Sequence, residues 1–252
     1  MLIGSKAAKI HFPDFPREPH DTDYISENEI DKADCHYCEG FEYILKKYPN
    51  LDVAPPEVLY TLKLSHAFWD VWWDKTMFDI CFYQSKNISI DEELFAILYK
   101  DCEKRYGKKK AYLAKSNEDF FTDSVERIYV HDDIHEAIAY GNEPLYKKIK
   151  KDQSKASTSH DLFLALSDEE KLNLCREEIY VTALERILIP KDFHKHPFAA
   201  FKESAKMLIT SMSKGWFPKF IVQNWLKIRD YKYDFVSKFK TKLNNGEVRL
   251  CN

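Results

Sequence analysis

Residues 1–25 read MLIGSKAAKIHFPDFPREPHDTDYI, and they carry the clearest indication of what the chain does. An apolar strand candidate ends at Gly4-Ser5, and a second strand candidate begins with Asp21-Thr22-Asp23. In an Asp-x-Asp sequence on a strand, alternate side chains share one face, so two carboxylates can hold a hard cation such as Mg²⁺. The Gly-Ser turn lets backbone amides and a hydroxyl approach a triphosphate. The alternative interpretation is a strand end followed by a solvated loop of acids.

Composition sets broad limits on the class of protein. At 252 residues the chain can form one large domain or two small ones. Charged residues make up 31% and only six residues are glycine, which favours helix over an all-β fold. The net charge of −3 argues against a strongly electrostatic nucleic-acid binder. No apolar run approaches a membrane span and no signal peptide is recognisable, so we expect a cytoplasmic protein without a membrane partner.

The cysteines give a weaker indication. The chain has six, and without a secretory signal we expect them to be reduced thiols. Cys35-His36-Tyr37-Cys38 is the one compact set. A C-x-x-C with an internal histidine is half of a zinc site, but no second pair follows at the usual spacing. A pair of free thiols in a loop is therefore the favoured interpretation.

Periodicity predicts an α+β fold. Strands are expected at residues 1–5, 22–25 and 77–83, and the main helices at 41–48, 56–69, 91–106, 168–189, 197–214 and 218–228. Ser167-Asp168-Glu169-Glu170 is a capping box at the start of the long fourth helix. We therefore predict a small mixed β-sheet module over residues 1–90, followed by a mostly helical domain over residues 91–252.

Three elements of the N-terminal module resemble the polymerase-β-like nucleotidyltransferase superfamily. They are Leu2-Ile3-Gly4-Ser5, the Asp21-x-Asp23 pair and the predicted strand that carries Asp79. The whole chain also resembles nucleotidyltransferase-like proteins of phages and large viruses, on residues 2–25, 60–66, 131–136 and 215–217. The resemblance implies a helical domain closing over a nucleotide cleft. It departs from the superfamily pattern because no helix precedes the first strand and a long insertion precedes the third acid.

The resemblance implies particular roles for the residues it covers. Gly4 and Ser5 would hold phosphates, and Asp21 and Asp23 would hold Mg²⁺ or Mn²⁺. Asp79, flanked by Phe78 and Ile80 on a predicted strand, would be the third acid facing the cleft. The alternative for Asp79 is a position at the border of an edge strand. Three converging carboxylates repel one another unless a cation lies between them, so metal dependence is a direct prediction.

A second group of titratable residues lies at His131-Asp132-Asp133-Ile134-His135-Glu136. On a helix, His131 and His135 are i and i+4 and share one face. Two imidazoles at this spacing can hold a transition metal or contact a phosphate or an acceptor, with Asp132 beside them. The alternative is an ordinary polar helix face whose acids complement the helix dipole.

Weaker candidates are cations near the predicted cleft. Lys6 follows the Gly-Ser turn, whereas Lys63 and His66 are i and i+3 on the helix before residue 77. Each could neutralise phosphate, but ordinary polar positions on an amphipathic helix are the favoured interpretation for Lys63 and for His66 taken alone. Lys75 is a further cation of this kind.

These observations favour an enzyme. The first hypothesis is metal-dependent transfer of a nucleoside monophosphate from a nucleoside triphosphate to an acceptor, which could be RNA, a protein or a small molecule. The second is a metal-dependent phosphohydrolase or nuclease centred on His131, Asp132 and His135. The third is a non-catalytic nucleotide-binding interaction protein. The viral resemblance adds the host cytoplasm as the expected location.

Overall fold

A computed structural model shows two compact units, Met1–Tyr112 and Leu113–Asn252. The structure describes residues 1–69, 72–107, 116, 120–121, 154–183, 197–211, 215–229, 241–242 and 244–246. Each unit is described below by itself. The elements are numbered over the described residues alone.

A three-stranded mixed sheet lies in the first unit. Its strands are β1 (Leu2–Ile3), β2 (Asp23–Ile25) and β3 (Asp34–His36), in the order β1-β2-β3. β1 pairs antiparallel to β2, and β2 pairs parallel to β3. The other edge of β1 is covered, because Leu2 N–H donates to Asp52 O at 2.7 Å and Ala54 N–H donates to Leu2 O at 2.9 Å.

Helix α1 (Gly4–His11) begins directly after β1. The predicted strand over residues 1–5 was therefore too long: it ends at Ile3, and Gly4 and Ser5 form the first turn of the helix. Gly4 turns the chain at a φ of 72°, a left-handed conformation that glycine adopts without steric cost. Ala7 and Ala8 have no exposed surface, so the small side chains of α1 allow close packing against its neighbours.

Four longer helices complete this unit. They are α2 (Glu39–Lys47), α3 (Pro56–His66), α4 (Trp73–Ser85) and α5 (Glu92–Tyr106), and a 3-10 turn at Ala67–Trp69 extends α3. α3 packs against both α4 and α5 and is the central helix of this core. Seven of its eleven residues are buried, whereas Lys63 and His66 keep partial exposure near its C-terminal end. These two polar positions therefore face the edge of the core.

The strand predicted over residues 77–83 is wrong, because this segment lies within α4. The alternation around Asp79 was read with a period of two residues, but Trp73, Met77 and Ile80 are buried at helical spacing. Asp79 has no exposed surface. Arg17 donates to both of its carboxylate oxygens, at 2.6 and 2.7 Å, and Lys63 Nζ lies 3.2 Å from Oδ2. Asp79 is thus a buried, paired carboxylate rather than an acid facing a cleft.

The second unit is helical throughout its described part. Its helices are α6 (His160–Ala165), α7 (Asp168–Ala183), α8 (Pro197–Ser211), α9 (Trp216–Gln223) and α10 (Trp225–Arg229), with a 3-10 turn at Ser154–Ser157. α7 packs against α8 and α10, and the Tyr180 and Phe201 rings lie 5.0 Å apart between centroids. The predicted capping box is confirmed: Ser167 N–H donates to Glu170 Oε2 at 2.9 Å, and Glu170 N–H donates to Ser167 Oγ at 3.3 Å.

The coarse fold class is confirmed as α+β, mostly helical with a small mixed sheet. The first compact unit is longer than the module that we predicted over residues 1–90. α5 packs against α2 and α3, which places it in this unit, and the unit ends at Tyr112. None of the helices in the described part of the chain is long and apolar enough to cross a membrane.

We predict that Arg17→Met destabilises the protein by about 3 kcal/mol, because it leaves Asp79 buried with Lys63 as its one cationic partner. Lys86→Met is the matched control. It breaks a 2.6 Å pair with Asp14, whose side chain is 64% exposed, and we expect a much smaller loss because solvent screens this pair. Urea denaturation followed by circular dichroism measures both changes. Equal losses in the two variants would contradict the structural role of the Arg17–Asp79 pair.

Candidate functional site

Three carboxylates converge at one end of the sheet. One oxygen from each of Asp21, Asp23 and Asp34 lies within 4.8 Å of the other two. β2 and β3 cause this convergence, because their parallel register sets Asp23 directly beside Asp34, and Asp21 precedes β2 by two residues. We call these three residues the acidic cluster. Asp21 and Asp34 are exposed and Asp23 is half-buried.

The structure brings together two of the three acids that we predicted and replaces the third. Asp79 is not a member of the acidic cluster, and Asp34 is the third carboxylate in it. Sequence reasoning missed Asp34 because β3 has three residues, too few for a period-two pattern to be recognised. Its parallel pairing with β2 identifies it, and pairing is a tertiary property.

Gly4 lies against the carboxylate of Asp23. A Cβ atom on Gly4 would stand 2.1 Å from Asp23 Oδ2, which is far inside van der Waals contact. The pairing of Ile3 with Asp23 across β1 and β2 produces this approach. The first turn of α1 and the acidic cluster are therefore adjacent, as the predicted Gly-Ser and Asp-x-Asp arrangement requires.

Positive groups surround Asp23. His36 Nε2 donates to Asp23 Oδ1 at 3.2 Å, and this hydrogen bond is the main reason why the pKa of Asp23 is lowered. The charges of His36, Lys63 and Lys75 lower it further against the opposing effect of burial. The same hydrogen bond raises the pKa of His36. These neighbouring cations therefore favour the carboxylate form of Asp23, which also lies next to the carboxylates of Asp21 and Asp34.

The predicted phosphate-binding residues have different environments. The Ser5 side chain is buried at 5% exposure, so a direct contact between its hydroxyl and a ligand, as we predicted, does not fit this conformation. Lys6 Nζ donates to the hydroxyl of Thr22, between Asp21 and Asp23 in sequence. Lys63 is held by Asp79, and its charge also acts on Asp23. Lys6 and Lys63 thus both lie near the acidic cluster.

His66 lies in the wall of a cavity of about 570 Å³, which Cys35, His36 and Cys38 also line. Burial lowers the pKa of His66 to about 4, and the charge of Lys63 adds to this effect. Its imidazole is therefore neutral at pH 7. We predicted a phosphate-neutralising cation at this position, and the environment instead favours an uncharged hydrogen-bonding group.

Cys35 and Cys38 are free thiols, but the loop that we predicted for them is not observed throughout, because Cys35 lies in β3 and Cys38 directly precedes α2. Burial, together with a hydrogen bond to Asp101, raises the pKa of Cys38 to about 11. Within the described part of the chain, no group of three metal-ligating side chains forms around these cysteines. The remaining predicted site residues, His131, Asp132 and His135, lie outside the described residues.

The acidic cluster has the chemistry of a hard-cation site. Carboxylate oxygens are the ligands that Mg²⁺ and Mn²⁺ prefer, and Mg²⁺ binds through few protein groups while it keeps positions for water or phosphate oxygens. Lys63 and Lys75 add positive charge next to Asp23 without ligating a metal.

Comparison with known proteins establishes a family. The chain belongs to the family described as Domain of unknown function (DUF7275), which it matches over residues 58–243. No curated protein and no solved structure matches the chain. The match begins within α3, so it includes Lys63 and His66, whereas the acidic cluster precedes it.

We predict that Gly4→Ala costs about 3 kcal/mol of stability, because alanine adds a left-handed conformational penalty and displaces the Asp23 carboxylate. Gly246→Ala is the matched control: its φ is 71°, but its added Cβ meets nothing within 4 Å. This variant carries the conformational cost alone, about 1 kcal/mol. Chemical denaturation measures both values. A loss at Gly4 no larger than the loss at Gly246 would show that the contact with Asp23 is unimportant.

We predict that His66 titrates near pH 4, because its protonated form loses hydration when it is buried. Since this pKa is below that of the unfolded chain, the stability contributed by neutral His66 is present above about pH 6.5 and is lost toward pH 4. NMR of the imidazole protons, assigned with His66→Gln, measures the midpoint. A midpoint near 6.5 would exclude the buried environment.

Proposed function

We propose that this protein is a metal-dependent nucleotidyltransferase, which moves a nucleoside monophosphate from a nucleoside triphosphate to an acceptor hydroxyl. The acceptor oxygen forms a bond to the α-phosphorus, the bond from this phosphorus to the β-phosphate oxygen breaks, and pyrophosphate and the hydroxyl proton are released. The observation that carries the proposal is the contact between Gly4 and Asp23 at the edge of the acidic cluster. Asp21, Asp23 and Asp34 would hold Mg²⁺ or Mn²⁺. Asp34 takes the role that the family resemblance led us to expect for Asp79.

The sheet supports this assignment because it brings the required groups together from separate segments of the chain. The Gly-Ser turn directly follows β1, Asp23 lies in β2, and Asp34 lies in β3. A polymerase-β-like site needs these same three parts, as the sequence resemblance implies. The absence of a side chain on Gly4 makes room for the Asp23 carboxylate itself, and the start of α1 adds a partial positive charge beside it.

Cations of the first unit would bind the triphosphate. Lys63 is fixed by its ion pair with Asp79, so its ammonium is positioned before any ligand arrives. Lys75 is exposed on the first turn of α4, and Lys6 is held at Thr22. These lysines are suited to neutralising the negative charge of phosphate groups next to the acidic cluster.

A divalent cation bound at the cluster would supply charge stabilisation for the phosphoryl group and a lower pKa for an acceptor hydroxyl. The chain itself would orient the nucleotide and keep Asp23 ionised through His36. The acceptor that we propose is RNA, a protein or a small molecule that carries a free hydroxyl. The cytoplasm is the location that we propose.

Label transfer from α-labelled nucleoside triphosphates tests the function. The purified protein is incubated with Mg²⁺ or Mn²⁺ and a mixture of host RNA, protein and metabolites. We expect transfer by the wild type, and a loss of at least about a hundredfold in Asp23→Asn and in Asp34→Asn, because each removes a charged ligand from the site. Chelation with EDTA should abolish transfer in the wild type.

Asp31→Asn is the matched control, because Asp31 is an exposed acid near β3 that is not part of the acidic cluster. It should transfer label at the wild-type rate, and circular dichroism should show all variants folded. Wild-type transfer by Asp23→Asn and Asp34→Asn would exclude the acidic cluster as the site. Nucleotide binding without transfer by the wild type would support a non-catalytic nucleotide-binding protein instead.

A further inference from the structure

The cavity that contains His66 has a wall of mixed character. Leu62, Leu98 and Phe41 supply apolar surface, whereas Asp101 and Arg105 on α5 supply opposite charges. Its volume of about 570 Å³ is in the range of small-molecule sites, which combine apolar walls with a few polar groups. The acidic cluster does not account for these residues.

Asp101 is a hydrogen-bond acceptor in the wall of this cavity. Its side chain is 13% exposed, and Oδ2 accepts a hydrogen bond from Gly40 N–H at 2.7 Å, which fixes the carboxylate against the start of α2. Oδ1 lies 3.9 Å from Lys104 Nζ, beyond hydrogen-bond distance. The thiol of Cys38 is a weak donor to the same carboxylate. A carboxylate can accept further hydrogen bonds, so Asp101 is suited to a ligand that presents N–H groups.

Arg105 is a hydrogen-bond donor in the wall of the same cavity. It is exposed and lies four residues after Asp101 on α5, so the two side chains share one helix face. Its charge opposes protonation of His36 and His66, both of which line the cavity, although the hydrogen bond to Asp23 raises the pKa of His36 overall and burial is the main cause of the lowered pKa of His66. The guanidinium therefore lies close to the cavity, where its planar set of N–H donors can reach a ligand.

Taken together, these groups suit a flat heterocycle with donors at one edge and acceptors at the other. Guanine has this pattern: its N1–H and N2 amino group donate, and its O6 and N7 accept. Adenine has an unprotonated N1 at the position where guanine has N1–H. The lone pair on this nitrogen would face a lone pair of the Asp101 carboxylate, and the two would repel each other. Phe41 is an aromatic ring in the wall against which a base can stack.

We propose that this cavity is a guanine-selective base pocket, in which Asp101 accepts from N1–H and the N2 amino group and Arg105 donates to O6 or N7. His36 connects the pocket to the acidic cluster, because it lines the cavity and its Nε2 binds Asp23 Oδ1 at 3.2 Å. The pocket therefore gives the proposed transferase its base preference, an inference that rests on the proposed function. Base binding itself needs neither metal nor phosphate.

Equilibrium dialysis with labelled guanosine and adenosine, in EDTA, tests the pocket on the full chain. We expect guanosine to bind at least about tenfold more tightly than adenosine. Because these probes carry no phosphate and no metal is present, the result is independent of nucleotidyl transfer. A failure of the label-transfer experiment would leave the base pocket standing. If label is transferred but dialysis shows no base preference, the base pocket is excluded and the proposed nucleotidyl transfer is not.

Two substitutions examine the two polar residues. Arg105→Ala should weaken guanosine binding by about tenfold or more, because it removes a charged donor. Asp101→Asn keeps an oxygen for Gly40 N–H and replaces the second acceptor by an amide donor, so it should bring the two nucleosides to similar affinity. Lys100→Ala is the matched control, since Lys100 is exposed on α5 and does not line the cavity. It should bind as the wild type does.

The binding results of the wild type and the three variants distinguish a guanine-selective pocket from a cavity without this preference. Guanosine preference that is lost in Asp101→Asn and weakened in Arg105→Ala, but kept in Lys100→Ala, supports the pocket. Equal affinity for the two nucleosides, undetectable binding of both, or wild-type guanosine binding by Arg105→Ala overturns it.

Discussion

A fully buried carboxylate fixes the interior of the first unit. A carboxylate without surface exposure is costly unless cations and hydrogen bonds compensate it, and Arg17 and Lys63 supply them to Asp79. These three residues come from the segment after α1, from α3 and from α4. Because the charge of Lys63 also lowers the pKa of Asp23, this partner of the buried Asp79 carboxylate acts on the acidic cluster as well.

The sheet positions the acidic cluster, and the central helix α3 positions Lys63 and His66. The short strands place Asp23 beside Asp34 and against Gly4, which creates a small anionic centre with backbone close to it. α3 is buried along most of its length, and its partly exposed C-terminal end presents Lys63 toward that centre and His66 toward the cavity. His36 is bonded to Asp23 of the acidic cluster and also lines the cavity. A ligand that carries a base and phosphates is the chemical species that would use both at once.

Several parts of this arrangement were predictable from local sequence because local energetics control them. Pro56 starts α3, Asp91 caps α5 and Ser167 with Glu170 caps α7, each through contacts within a few residues. Asp21 and Asp23 were predicted as neighbours because a two-residue spacing nearly fixes their separation. The strand expected around Asp79 failed because a short run of alternating residues fits a helix and a strand equally well, and packing against α3 decided between them.

The sequence by itself therefore determined the mixed α+β class, the main helices and the Gly-Ser and Asp-x-Asp parts of the candidate site. Each of these depends on side-chain periodicity, capping or spacing, which act over a few residues. Tertiary structure alone decided that Asp34 rather than Asp79 joins the acidic cluster, that Ser5 is buried, and that Asp101 and Arg105 line a cavity next to His36. These outcomes depend on strand pairing and on the partners available to a buried charge, and both involve residues far apart in the chain.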